Sequence, residues 1–166
     1  MSVTVRRGHL GDLPALTDLY NVFVRDTPIT FDVEPYTVAT RRPWFDAFGE
    51  SGRHQIFVAE EAGRVVGYAC TRVFREKRAY DTSVETSVYL ERAVQGRGIG
   101  AQLYTRLFES LAGEDVQRMI AGITVPNDAS IALHRRFGFQ RVGVLHQVGR
   151  KFDRYWDVLW MERGAR

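Results

Sequence analysis

The sharpest chemical feature of the sequence is Gln95-Gly96-Arg97-Gly98-Ile99-Gly100, set between a strand-like run ending in Val88-Tyr89-Leu90 and an apolar helical stretch. Glycines at this spacing let backbone N–H groups approach a ligand without Cβ obstruction. The helix that follows adds unpaired donors and the positive end of its dipole. Such a loop suits a phosphate or pyrophosphate; a ligand-free glycine turn is the alternative. Two nucleotide-binding patterns fail. Gly100 is followed by Ala101-Gln102 rather than the Lys-Ser/Thr of a P-loop, and G-x-G-x-G is not the G-x-G-x-x-G of a dinucleotide fold. Glu85 is a carboxylate in a run otherwise built of Thr, Ser, Val and Tyr, where it is either a general base or half of a cross-strand pair. His134 is either a proton donor or a surface histidine on a short helix. Arg72, Arg75, Lys77 and Arg78 crowd one connecting segment, able to grip a carboxylate or to stand as a solvated basic loop. Cys70 lies among apolar residues with no His or Asp beside it and reads as packing.

The elements that position these groups follow from periodicity. Val3 and Val5 alternate as a short strand, and a helix is expected over 12–25, introduced by Asp12 and Pro14. An exposed loop over 26–36 leads to a second helix over 38–48. A β-hairpin over 56–59 and 65–70 turns at Gly63-Arg64, and a strand follows over 82–90. Ile99, Leu103, Leu107 and Leu111 mark a helix over 99–112. A strand over 119–125, a short helix over 129–137 closed by Gly138, and strands over 139–148 and 153–161 with a turn near Gly149 complete the chain. The order β-α-α-β-β-β-α-β-α-β-β is not the regular alternation of a dinucleotide-binding fold. With 166 residues, 45% hydrophobic and 26% charged, the chain reads as one globular domain over 1–166. The 23 basic residues exceed 20 acidic ones by three and are not gathered together, which argues against a nucleic-acid partner. No apolar run of about 20 residues and no signal peptide are visible, which argues against a membrane and for the cytoplasm. One cysteine and four scattered histidines supply neither a disulfide framework nor metal ligands.

Q-x-x-G-x-G after Val88-Tyr89-Leu90 resembles the coenzyme A pyrophosphate loop of the GNAT superfamily of N-acetyltransferases. More narrowly, the chain is similar to the phosphinothricin and methionine sulfone or sulfoximine N-acetyltransferases. This likeness rests on Leu19-Tyr20-Asn21, Val65-Val66-Gly67-Tyr68-Ala69, Thr82 to Tyr89, Pro126-Asn127-Asp128-Ala129-Ser130, Leu133-His134, Gln147 to Phe152 and Trp156-Asp157-Val158, in order from end to end. It implies an α/β (α+β) GNAT fold, a mixed, largely antiparallel sheet of about seven strands flanked by about four helices. Acetyl-CoA is the implied co-substrate, with no metal. Val88, Tyr89 and Leu90 would hold it through backbone, as an added strand would. Gly96, Arg97, Gly98, Ile99, Gly100 and Ala101 would hold the pyrophosphate, and Asn127 the pantetheine arm.

Acetyl transfer from a thioester to an amine requires the amine to lose a proton, the carbonyl to be polarised and the departing thiolate to be stabilised. The resemblance places Glu85 in the active site as base, directly or through water. It puts His134 where many relatives carry a tyrosine that protonates the thiolate. A thiol titrates near ~8.5 and imidazole near ~6.5, so that transfer runs downhill. Tyr104 is the alternative donor, though its helical spacing also suits the core. Phe31, Arg75, Glu76, Lys77, Glu85, Thr86 and Ser87 would line the acceptor pocket, with Arg75 on an α-carboxylate. Relatives often carry Trp-Arg-x-Phe where this chain has Phe74-Arg75-Glu76-Lys77. The implied reaction is direct attack in a ternary complex on a small amino-acid-like amine bearing a carboxylate, by a homodimer. The alternatives are another acceptor (peptide N-terminus, lysine, aminoglycoside) or a non-catalytic acyl-CoA-binding module.

Overall fold

A computed structural model describes residues 2–165. Apolar residues at helical spacing, Leu13, Leu16, Leu19, Tyr20, Phe23 and Val24, bury one stripe of the 14-residue helix α1 (Leu13–Asp26). Helix α2 (Val38–Asp46) starts at Thr37, whose hydroxyl accepts from the Thr40 N–H. Helices α3 (Ile99–Ser110) and α4 (Asp128–Arg136) follow later in the chain. The strands are β1 (Val3–Arg7), β2 (Ile56–Glu61), β3 (Arg64–Val73), β4 (Ser83–Leu90), β5 (Arg118–Val125), β6 (Gln140–Lys151) and β7 (Arg154–Gly164). They form one seven-stranded sheet in the order β1-β2-β3-β4-β5-β7-β6, antiparallel except between β4 and β5.

Helices cover both faces, which is why β3 reads as a nearly continuous apolar run rather than an alternating one. On one face Leu16, Leu19 and Phe23 pack on Ile56, Val58, Tyr68 and Cys70. On the other, Leu103, Tyr104 and Leu107 pack on Phe57, Ala69, Val84, Met119 and Ala121.

The final hairpin departs from the sequence expectation. It turns at Phe152 and Asp153, both with positive φ (54° and 55°), and β6 runs on through Gly149, which pairs with Trp156. Two residues in that conformation match the strand twist without a glycine. Gly149 answers a different need: a Cβ there would overlap the Phe31 ring. The expected exposed loop over 26–36 is also more fixed than its composition suggests, for Thr30 is buried and hydrogen-bonded.

Gly67 sets how closely β3 and β4 approach beside the Val88–Leu90 edge. A Cβ there would overlap Leu90 and sit 2.9 Å from the Tyr89 carbonyl oxygen. Gly67→Ala is therefore expected to cost about 1–3 kcal/mol of stability, read as a lower denaturation midpoint at unchanged slope.

Candidate active site

Parallel strands β4 and β5 pair only through Ser83↔Arg118, Val84↔Met119 and Glu85↔Ile120, then diverge. Beyond Glu85 the edge of β4 that faces β5 has no strand partner, and a slit opens through the sheet. The unbroken β3–β4 register puts Glu85, Ser87 and Tyr89 on one face and Thr86, Val88 and Leu90 on the other. Tyr89 packs edge-on against Tyr20 and Phe23 of α1, at 5.3 and 5.0 Å between centroids. A cavity of about 400 Å³ runs along the opened edge from Val88, Tyr89 and Leu90 past the glycine loop to Asn127 and α4. A narrower one of about 50 Å³ continues it into the slit, between Ser87 and Tyr89 on one side and Ser130 and His134 on the other.

The glycine loop behaves as its composition suggests. Gly96 and Gly98 have φ of +76° and +79°, with open space where a Cβ would stand, and Gly98 is the N-cap of α3. Backbone N–H groups of the first turn of α3 thus face the cavity lined by Gly98, Ile99, Gly100 and Ala101. Arg97 does not line it: its guanidinium forms a bidentate pair with Glu61, at 2.6 and 3.2 Å. Arg136, at the end of α4, does line it, with no sequence signal to set it apart from the neighbouring Arg135. Asn127 is the N-cap of α4, accepting from the Ser130 N–H, and also lines both cavities.

Glu85 sits at the fork, as the last residue of β4 paired with β5, and among the described residues no hydrogen bond engages its carboxylate. Burial pushes its pKa up, and Arg72, its cross-strand partner, opposes that only in part. His134 lies on the opposite face, 3% exposed. Its Nδ1 faces the Ser130 carbonyl at 2.7 Å, an acceptor only, so the proton sits on Nδ1. Nε2 then accepts from the Tyr104 hydroxyl at 2.8 Å. Burial lowers the imidazole pKa and raises that of Tyr104, so both groups are neutral at pH 7. Cys70 is buried and its thiol is pushed up to about 12, which leaves it a packing residue.

Thr86 and Ser87 line the slit. Arg75, Glu76 and Lys77 lie in the exposed β3–β4 connection, where Arg75 stacks on Phe74 at 5.0 Å and contacts neither cavity. Phe31 rests on Gly149, while its neighbour Ile29 lines both cavities; the sequence held no signal for Ile29 beyond its place in that loop. Among the described residues no group of three or more His, Cys, Asp or Glu is placed to hold a metal, and no helix is long and apolar enough to cross a membrane.

The profile of the acetyltransferase (GNAT) family matches residues 16–139. The chain belongs to the GNAT acetyltransferase family. It is 54% identical over 163 residues to a phosphinothricin N-acetyltransferase of Streptomyces coelicolor, covering 97% of this chain and 95% of that one. It is 36% identical over 162 residues to an L-methionine sulfoximine/L-methionine sulfone acetyltransferase of Pseudomonas aeruginosa, covering 98% and 94%. The crystal structure of a GNAT superfamily phosphinothricin acetyltransferase from Sinorhizobium meliloti, in complex with acetyl-CoA, superposes with a TM-score of 0.91 at 33% identity, over 99% of this chain and 89% of that one. This GNAT protein is therefore an acetyl-CoA-dependent N-acetyltransferase, and its seven strands and four helices are the family fold. The donor set fits that co-substrate: a cavity long enough for an extended chain, an unpaired strand edge beside it and a helix N-terminus for the diphosphate.

The raised pKa of Glu85 has a sign that can be checked. Folded Glu85 holds its proton to higher pH than unfolded Glu85, so its stabilising contribution is present at low pH and is lost as pH rises through the folded value. Glu85→Gln is expected to melt with the wild type at about pH 4 and above it by pH 7 to 8. Thermal melts across that range check it; a gap that shrinks with rising pH contradicts the assignment.

Proposed function

We propose that this enzyme moves an acetyl group to the α-amine of a small amino-acid-like substrate of the phosphinothricin, methionine sulfone or methionine sulfoximine type, by direct attack in a ternary complex. The observation that carries the reading is the slit at the β4–β5 fork, with Glu85 on one face of the sheet and His134 with Tyr104 on the other. When bound, acetyl-CoA supplies the activated acetyl thioester. Val88, Tyr89 and Leu90 offer it an unpaired strand edge; Gly96, Gly98, Ile99, Gly100 and Ala101 offer a diphosphate cradle; Asn127 and Arg136 close the far side. Glu85, its pKa raised by burial, takes a proton from the acceptor amine. To His134 and Tyr104, both neutral at rest, falls the handover of the second proton that the attacking nitrogen sheds to the departing thiolate. Direct attack is supported by Cys70, whose protonated, buried thiol is no nucleophile.

Phosphinothricin and methionine sulfone share an α-amine beside an α-carboxylate, and Arg75 and Lys77 lie in the basic β3–β4 connection between Arg72, the register partner of Glu85, and Arg78. We assign the carboxylate to Arg75 and the further lining to Phe31, Glu76, Lys77, Thr86 and Ser87. We further read residues 1–166 as one catalytic domain that works in the cytoplasm as a homodimer. The dimer is supported by the open edge of β6 and its hairpin, where Val142, Leu145, Val148, Phe152 and Tyr155 are exposed.

Thiol release measured with phosphinothricin, methionine sulfone, a polyamine and a peptide should rise for the first two alone. Glu85→Gln should lower kcat by about 10²–10³ while calorimetric acetyl-CoA affinity stays within about twofold. Undiminished turnover in that variant removes Glu85 from its role. Faster turnover of the polyamine or peptide overturns the acceptor class.

Gly98→Ala tests the diphosphate cradle separately. A side chain at φ +79° strains the N-cap of α3, and acetyl-CoA affinity should fall by about tenfold.

A further inference from the structure

The connection from α1 to α2 carries Ile29 to the slit, and its course is set by two sets of ties. The first comes from α1. The Tyr20 hydroxyl donates to Asp32 Oδ2 at 2.6 Å and accepts from Thr30 Oγ1 at 2.6 Å, while the Asp32 N–H donates to Thr30 Oγ1 at 3.2 Å. The second reaches across the molecule from the last hairpin. Lys151, 5% exposed, donates from Nζ to the Thr30 carbonyl at 2.8 Å and, less closely, to the Phe23 carbonyl at 3.5 Å. Two residues earlier on the same strand, Gly149 takes the Phe31 ring against its backbone. Three consecutive loop residues are thus assigned three places: Ile29 in the slit, Thr30 between two anchors, Phe31 on Gly149.

A buried ammonium is costly unless its donors are met. A methionine of similar length would fill the same space without that cost. What the ammonium adds is a fixed distance between the hairpin and the Thr30 carbonyl, a directional tie that an apolar contact cannot give. Phe23, the second acceptor, also lines the larger cavity. Both carbonyls held by Lys151 therefore belong to segments that border the reacting groups.

We propose that Lys151, seconded by Gly149, is a positioning residue for the acceptor: it latches residues 29–31 so that Ile29 and Phe31 form one wall of the acceptor pocket. This rests on the acceptor reading above.

Lys151→Met keeps the bulk and removes the donors; Gly149→Ala displaces Phe31 and tests the same loop if the first variant does not fold. Hydrogen exchange of amides 27–37 should speed up by about tenfold in either variant. With methionine sulfone or phosphinothricin, the acceptor KM should rise by about five- to tenfold, kcat should change by less than about threefold, and acetyl-CoA affinity should stay within about twofold. A purely structural role would not divide KM from kcat in this way. Faster exchange with an unchanged acceptor KM overturns the proposal, as does unchanged exchange in both variants. Equal losses in acetyl-CoA affinity and acceptor KM overturn it too. Absence of wild-type turnover with either amino acid overturns the acceptor reading itself, an outcome distinct from wild-type turnover that Lys151→Met leaves unaltered.

Discussion

Everything in the site depends on where β4 and β5 stop pairing. Parallel strands normally hold each other's backbone groups along their length, and unpaired groups in a sheet interior are destabilising. Here the ladder ends at Glu85↔Ile120, yet β4 continues to Leu90 and β5 to Val125. The separation is held open from both ends of the sheet. On one side Gly67 lets β3 approach β4 closely, and on the other Gly122 receives the Trp160 ring of β7, so each strand stays with its antiparallel neighbour. A strand edge left free at this point is what an extended co-substrate with amide groups requires.

The fork also explains the opposed electrostatics of Glu85 and His134. Alternation along β4 sends Glu85 toward the α1–α2 side while His134 and Tyr104 approach from the α3–α4 side. Burial acts on each group in the direction that disfavours its charge: up for the carboxyl, down for the imidazole. A carboxyl with raised pKa and a neutral imidazole are thereby set on opposite faces of the sheet at the fork. The hydrogen bonds of His134 to the Ser130 carbonyl and the Tyr104 hydroxyl fix its ring orientation and tautomer without a carboxylate partner.

Much of this was legible in the chain, for reasons that differ by element. Helix α3 could be read from Ile99, Leu103, Leu107 and Leu111 because one buried stripe repeats every four residues, and all four are buried. The glycine loop was visible because positive φ without steric cost leaves a compositional trace. Glu85 stood out against a strand of uncharged residues. What was not legible involves contacts far apart in sequence. The insertion of β7 between β5 and β6 depends on tertiary pairing. Gly149 looks like a turn residue because glycine serves turns and close approaches alike, and only the position of Phe31 distinguishes them. Lys151 looks like any surface lysine until Phe23 and Thr30, over 120 residues earlier, are seen beneath its ammonium. The Tyr104–His134 bond joins two helices whose register no local pattern discloses.

The two substrates are met by different kinds of structure. The co-substrate side is built from regular elements: a strand edge, the first turn of α3 and the capped start of α4. The acceptor side, as proposed, is built from connections, those between α1 and α2 and between β3 and β4, steadied by side chains rather than by ladders. Arg41 shows the method. Its guanidinium is buried between the Tyr20 and Trp44 rings at 4.0 Å from each, with Tyr36 at 4.7 Å, and its Nε has no hydrogen-bond partner among the described residues. Charge held on aromatic faces keeps α2 against Tyr20, and Tyr20 in turn holds Thr30 and Asp32. A wall made of loops can change shape through a few side chains while the strand edge and the glycine cradle stay as they are. The departure at Phe74-Arg75-Glu76-Lys77 falls in such a loop. Under the proposed acceptor reading, a change there would alter which amine is accepted and leave the glycine cradle as it is.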